Sequence, residues 1–131
     1  MSVSRHSKDL AMIWSTLRQE RQEIRLLTLC PGAFQQEIQC KLRVVSLNQN
    51  LKYVALSYCW GDQNNRDTIS VNGQKIAVTM SLATALKYMR RCDQDVILWN
   101  DATCINQNDE IEKGSQIMLM GQIYARGKSD T

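Results

Sequence analysis

Apolar residues along this chain recur with a period near 3.6 in some stretches and near 2 in others, and the switches between them divide it into short elements. Leu10, Ile13, Trp14 and Leu17 fall at i, i+3, i+4 and i+7, with Lys8, Arg18 and Glu20 on the opposite side. A helix capped by Ser7 and running to about Gln22 is therefore predicted. Its stripe suits core packing or partner docking, which the pattern alone does not separate. The segment IRLLTLCPG (24–32) reads as a strand ended by the turn pair Pro31-Gly32. In 37–47, Ile38, Cys40, Leu42 and Val44 alternate with Gln39, Lys41 and Arg43, the signature of a half-buried strand, and 48–50 is a polar turn. Residues 53–58 are nearly all apolar or aromatic, as in a strand covered on both faces. A polar loop, 61–67, follows.

DTISVNGQKIAVT (67–79) predicts a hairpin: Asn72-Gly73 suits a two-residue type I′ turn, which needs φ > 0 at both positions, and sets Ile69 against Ile76. Residues 81–91 read as a helix with Leu82, Ala85, Leu86 and Met89 on one face. Residues 95–102 read as a buried strand and 109–125 as a last helix. Strand, helix, buried strand and helix in succession imply a crossover and a partly parallel sheet. The fold class is thus α/β: a small mixed sheet with parallel core strands, one β-hairpin and flanking helices.

Composition bounds the picture. The 131 residues suffice for one domain, and 44% hydrophobic with 22% charged residues is ordinary globular content. We divide the chain into an N-terminal amphipathic helix (1–23), a main domain (24–125) and a polar tail (126–131). The net charge of +3 is dispersed, with most Lys and Arg near an Asp or Glu, so no nucleic-acid footprint or polybasic membrane patch is expected. Apolar runs fall short of the ~18 residues of a membrane span. The N-terminus lacks the apolar centre of a signal peptide, and the expected location is intracellular, in the cytoplasm. Cys30, Cys40, Cys59, Cys92 and Cys104 are odd in number and unpaired in spacing, and His6 is the sole histidine. Reduced thiols and no metal site are expected.

Candidate chemistry gathers at two strand ends. In a parallel sheet, ligands bind beyond the carboxyl ends of the strands. One strand there delivers Cys59, Trp60, Gly61 and Asp62; the other delivers Asn100, Asp101 and the loop CINQ, with Cys104, Asn106 and Gln107. Trp60 reads either as a core aromatic or as a face for a nucleotide base or nicotinamide. Gly61 permits close backbone approach, and Asp62 is either loop chemistry or a ligand group. Asp101, just after a buried strand, needs a partner or a task. Cys104 lacks a neighbouring base and is a poor nucleophile. Glu112 is either the N3 member of a capping box begun by Asp109, or a general base or ribose-binding carboxylate over the crevice.

The ordered set IRLLTL, YVALSYCWGD, VNG…VT, LATALKYMR, LWNDATCINQND, EK…Q and M…IY, from about Ile24 to Tyr124, resembles the HET domain, the heterokaryon incompatibility domain of filamentous fungi. The resemblance implies a part in non-self recognition after cell fusion and in programmed cell death. The family has been likened to TIR domains, which implies a TIR- or flavodoxin-like module that self-associates or, as some TIR members do, cleaves NAD. Carried over by position, the motif residues are Ser57, Tyr58, Trp60, Gly61, Asp62, Asp101, Cys104, Asn106, Gln107, Asp109, Glu112, Gln116 and Tyr124. By analogy with the TIR glutamate, Glu112 is assigned as catalytic with Asp101 beside it. Trp60, Gly61, Asp62, Asn106 and Gln107 are assigned to ligand binding, with NAD the candidate substrate.

The sequence departs from the family pattern in several places. Asn100 and Thr103 stand where the family carries apolar residues. Gly114 and Gly121 weaken the last helix by up to about 1 kcal/mol each relative to alanine. The end, ARGKSDT, is polar where the family continues into another apolar strand, so a truncated module with a sheet incomplete on its C-terminal side is expected. Three readings follow: a signalling and self-association module with protein partners, a NAD-cleaving hydrolase, or an inactive remnant.

Overall fold

The computed structural model of the chain describes residues 14–49, 51–56 and 64–130, with the backbone alone for 128–130. Among these, seven strands form one mixed sheet: β1 (Glu23–Leu29), β2 (Gln39–Ser46), β3 (Val54–Leu56), β4 (Arg66–Val71), β5 (Gln74–Thr79), β6 (Val96–Trp99) and β7 (Lys128–Asp130). Their spatial order is β5-β4-β2-β1-β6-β3-β7. Helix α1 (Met80–Met89) follows β5, a single turn α2 (Asp101–Cys104) follows β6, and α3 (Glu110–Arg126) precedes β7. The α/β class and the mixed sheet inferred from the pattern are what the chain adopts.

β1 lies mid-sheet, antiparallel to β2 through Glu23↔Ser46 to Leu29↔Cys40 and antiparallel to β6 through Leu27↔Leu98. Ile24, Leu26, Leu27 and Leu29 are all buried, so this strand is covered on both faces. β3 runs parallel to β6 (Val54↔Leu98, Ala55↔Trp99), the adjacency that a carboxyl-end crevice requires. β2 and β4 form a second, shorter parallel pair.

The hairpin forms in the expected register, Ile69 opposite Ile76, around Asn72 (φ 52°) and Gly73 (φ 81°). The Asn72 side chain adds a link to the next strand by accepting from the Leu42 amide at 3.0 Å. α1 starts at Thr79, whose hydroxyl accepts from Leu82 N, and buries Leu82, Ala83 and Leu86.

Two expectations fail. Residues 14–18 are irregular and only Gln19–Arg21 makes a 3₁₀ turn, so no helix reaches Gln22; Leu10 and Ile13 lie outside the described residues. Two backbone groups a helix would use there are bonded elsewhere, and the Trp14 indole anchors the segment to α2. The Ser15 carbonyl accepts from Arg25 Nη2, Trp14 Nε1 donates to the Thr103 carbonyl at 3.0 Å, and the Arg18 amide donates to Glu23 Oε1 at 2.7 Å.

The tail, read as polar and without strand character, instead pairs residues 128–130 in parallel with β3. Edge pairing uses backbone groups that any residue but proline supplies. Gly127 makes the approach feasible, since a Cβ there would sit 2.6 Å from the Tyr53 ring.

Candidate functional site

Arg25 occupies a central strand and is 1% exposed. Such a cation is costly to bury unless it is paired and hydrogen-bonded, and only its Nε finds no partner among the described residues. Nη1 donates to Glu112 Oε2 at 2.6 Å and to the Cys104 carbonyl at 3.1 Å; Nη2 donates to Glu112 Oε1 at 2.7 Å and to the Ser15 carbonyl at 2.5 Å. The pair is bidentate and its Glu112 side chain is 10% exposed. Glu112 Oε2 also accepts from the Asn106 amide at 2.7 Å. One guanidinium thus ties together β1, the segment before it, α2, the following loop and α3.

Asp109 caps α3, its carboxylate accepting from the Ile111 and Glu112 amides at 3.1 Å each. The return half of a capping box does not form: Glu112, at N3, reaches past Asp109 to Asn106 and Arg25. Within the loop, Asn106 Oδ1 accepts from the Asn108 amide, and Gln107 Nε2 donates to the Asp101 carbonyl at 2.8 Å. Asp101, Asn106, Gln107 and Glu112 are therefore brought into one hydrogen-bonded neighbourhood. Trp60, Gly61 and Asp62 lie outside the described residues, as do Ser57, Tyr58 and Cys59.

Asn100 seals the strand ends. Its side chain accepts from the Ala102 amide at 3.1 Å, capping α2, and lies 3.5 Å from the Leu56 carbonyl at the end of β3. Asp101, at the first position of α2, is half-buried; burial raises its pKa above the ordinary carboxylate value, against the pull of its own amide and that of Ala102. The nearby Tyr124 hydroxyl is raised by burial and by the charge of Asp101. The Tyr124 ring meets buried Trp99 edge-on, with centroids 5.6 Å apart.

Cys104 is fully buried, and burial pushes its thiol up to about 11, which removes the thiolate a nucleophile needs.

Two grooves flank the loop. One, of about 530 Å³, is lined by Trp14, Leu17, Gln22, Asn106, Glu112 and Gln116. The other, of about 480 Å³, is lined by Arg66, Thr79, Gln107 and Asn108, with Trp14 and Asn106 forming the shared wall. Sequence reasoning passed over Arg25 and Trp14 as site residues. For Arg25 the signal was present: a lone cation inside the apolar run IRLLTL.

The family model of heterokaryon incompatibility protein (HET) matches residues 53–129. The chain is also 34% identical over 116 residues to heterokaryon incompatibility protein 6, OR allele, of Neurospora crassa. That match covers 78% of this chain and 17% of the relative, so the chain spans about a sixth of the relative's length. No solved structure matches it. The match runs from Tyr53 through the Asp101–Gln107 loop and α3, the segments that Asn100, Arg25 and Glu112 hold together, and on this ground the chain belongs to the heterokaryon incompatibility (HET) family.

Proposed function

We propose that this chain is a heterokaryon incompatibility module that takes part in non-self recognition by protein association, its motif residues building a platform instead of cleaving a bond. The observation that carries the reading is the employment of Glu112. A general base needs a lone pair that substrate can approach. Both Glu112 oxygens are held by Arg25, and one accepts the Asn106 amide as well. Asn100, Gln107 and Asp109 are likewise engaged with backbone.

Light scattering on the purified chain tests the association. Apparent mass is expected to rise with concentration across the micromolar range, and a strict monomer throughout would overturn the reading. Expression in one member of a compatible pair of fungal strains tests the biology: impaired fusion is expected, and unimpeded fusion counts against it.

A second reading, cleavage of the nicotinamide–ribose bond of NAD, is favoured by one observation. Glu112 and Asn106 line the larger groove, with the Trp14 indole as a wall on which a flat ring can stack. Nicotinamide release that disappears in Glu112→Gln would favour the hydrolase; absence of release from the folded wild-type chain sides with association.

A further inference from the structure

Helix α3 has a second, largely exposed face, of which Ile111 and Met118 also border the groove of about 530 Å³. Gln116 and Ile123 are buried against the sheet. On the opposite side Ile111, Met118 and Ala125 recur every seven residues, with Gly114 and Gly121 between them, so the seam repeats as a and d positions do in a coiled coil. Ile111, Met118 and the flanking Ile117 are 77%, 84% and 59% exposed, and among the described residues nothing covers them. Single exposed apolar side chains are ordinary; three on one helix face form a patch. A Cβ added at Gly114 or Gly121 would meet no atom within 4 Å. Neither glycine is thus required by packing among the described residues, although each weakens the helix relative to alanine.

We propose that this seam docks a second copy of the same chain, α3 against α3 in antiparallel orientation, an inference that rests on the association reading above. In an antiparallel pair each a position faces a d position of the other helix. Ile111 then fills the gap over Gly121 of the second copy, Met118 fills the gap over Gly114, and the twofold axis repeats both contacts. Ile117 meets its own counterpart along one flank. Large side chains oppose absent ones, the size complementarity that close helix packing needs. A parallel pair would set glycine over glycine and leave both gaps empty.

Charge points the same way. The first turn of α3 carries the exposed acid Glu110 and the last carries Arg126, so antiparallel docking sets opposite ends and opposed helix dipoles side by side. Ser115 and Gln122, on the other flank, carry no charge to desolvate. A helix of 17 residues is only about 25 Å long. One such helix per copy contributes less than the usual interface of about 1,600 Å², which fits a micromolar dimer.

Sedimentation equilibrium of the whole chain tests the seam with two variants. Met118→Lys is expected to raise the dimer dissociation constant by roughly tenfold or more, because a charge would be placed at the centre of the contact. The double variant Gly114→Gln/Gly121→Gln is expected to weaken the dimer comparably while leaving the melting temperature unchanged or raised, since glutamine forms helix better and the space above each glycine is open. This second variant separates docking from folding. A dimer unaffected by either variant would overturn the seam and leave association to another surface. A wild-type chain that stays monomeric would overturn the seam and the association reading together.

Discussion

Arg25 and Glu112 show how a buried ion pair shapes the site around it. Removing one partner of such a pair leaves an uncompensated charge inside and costs about 3–5 kcal/mol, whereas replacing both with apolar groups is often neutral. Glu112→Ala is therefore expected to lower unfolding stability in urea by that amount, and Arg25→Met/Glu112→Leu to recover most of it. If the double variant were as unstable as the single, the pair would not be the reason. Asp101 offers a pH test. Burial raises its folded pKa above the ordinary 3.8, so between those values the native state binds more protons than the unfolded chain and stability falls as pH rises. Asp101→Asn is expected to match wild type in urea melts at pH below 3.8 and to exceed it at neutral pH; parallel curves across that range would refute the burial cost. Both acids were legible in the sequence, Asp101 as a carboxylate just after a buried strand and Glu112 as an N3 capping candidate or a general base. Their employment was not, because Arg25 lies 87 positions from Glu112 and no local pattern links them.

At the scale of elements, local chemistry decided those whose hydrogen bonds are local. The hairpin needed only Asn72 and Gly73, and the α3 cap only Asp109. The predicted N-terminal helix does not extend through residues 14–22, where Arg25 takes the Ser15 carbonyl and the Glu23 carboxylate takes the Arg18 amide. Asn100, an oddity by comparison with the family pattern, acquires a purpose as the cap of α2 placed beside the end of β3. Gly127 has a similar standing: it lets the chain leave α3 past Tyr53, whose hydroxyl donates to the Ile123 carbonyl at 2.6 Å. Gly127→Ala is expected to cost about 1–3 kcal/mol in thermal or urea unfolding, as overpacking does. An unchanged midpoint would mean that the Tyr53 ring swings aside freely.

Across the whole molecule, the sheet is antiparallel at β4-β5 and around β1, and parallel at β6-β3-β7 and at the short β2-β4 contact. β3, three residues long, is held between β6 and β7. Deleting residues 128–131 would leave one edge of β3 unpaired. Amide exchange of residues 54–56 is then expected to quicken by roughly tenfold, the equivalent of about 1.4 kcal/mol, in line with the net worth of one or two hydrogen bonds. Exchange at the wild-type rate would show that β7 adds nothing to the sheet. A cooperative thermal transition of the intact chain is expected as well, and its absence would favour the inactive remnant over a working module.

By itself the sequence determined the α/β class, the hairpin with its register, the two helices read over 81–91 and 109–125 and found at 80–89 and 110–126, and the motif that places the chain in its family. Each of these is written in neighbouring residues: a period of 2 or 3.6, a turn pair, a cap. Only the tertiary structure decided that Arg25 is the hub, that both Glu112 oxygens bind it, that residues 14–22 form no continuous helix and that the polar tail becomes a strand. Those outcomes depend on which groups compete for one another's hydrogen bonds once the strands are adjacent, and a one-dimensional pattern holds no information about partners tens of residues apart.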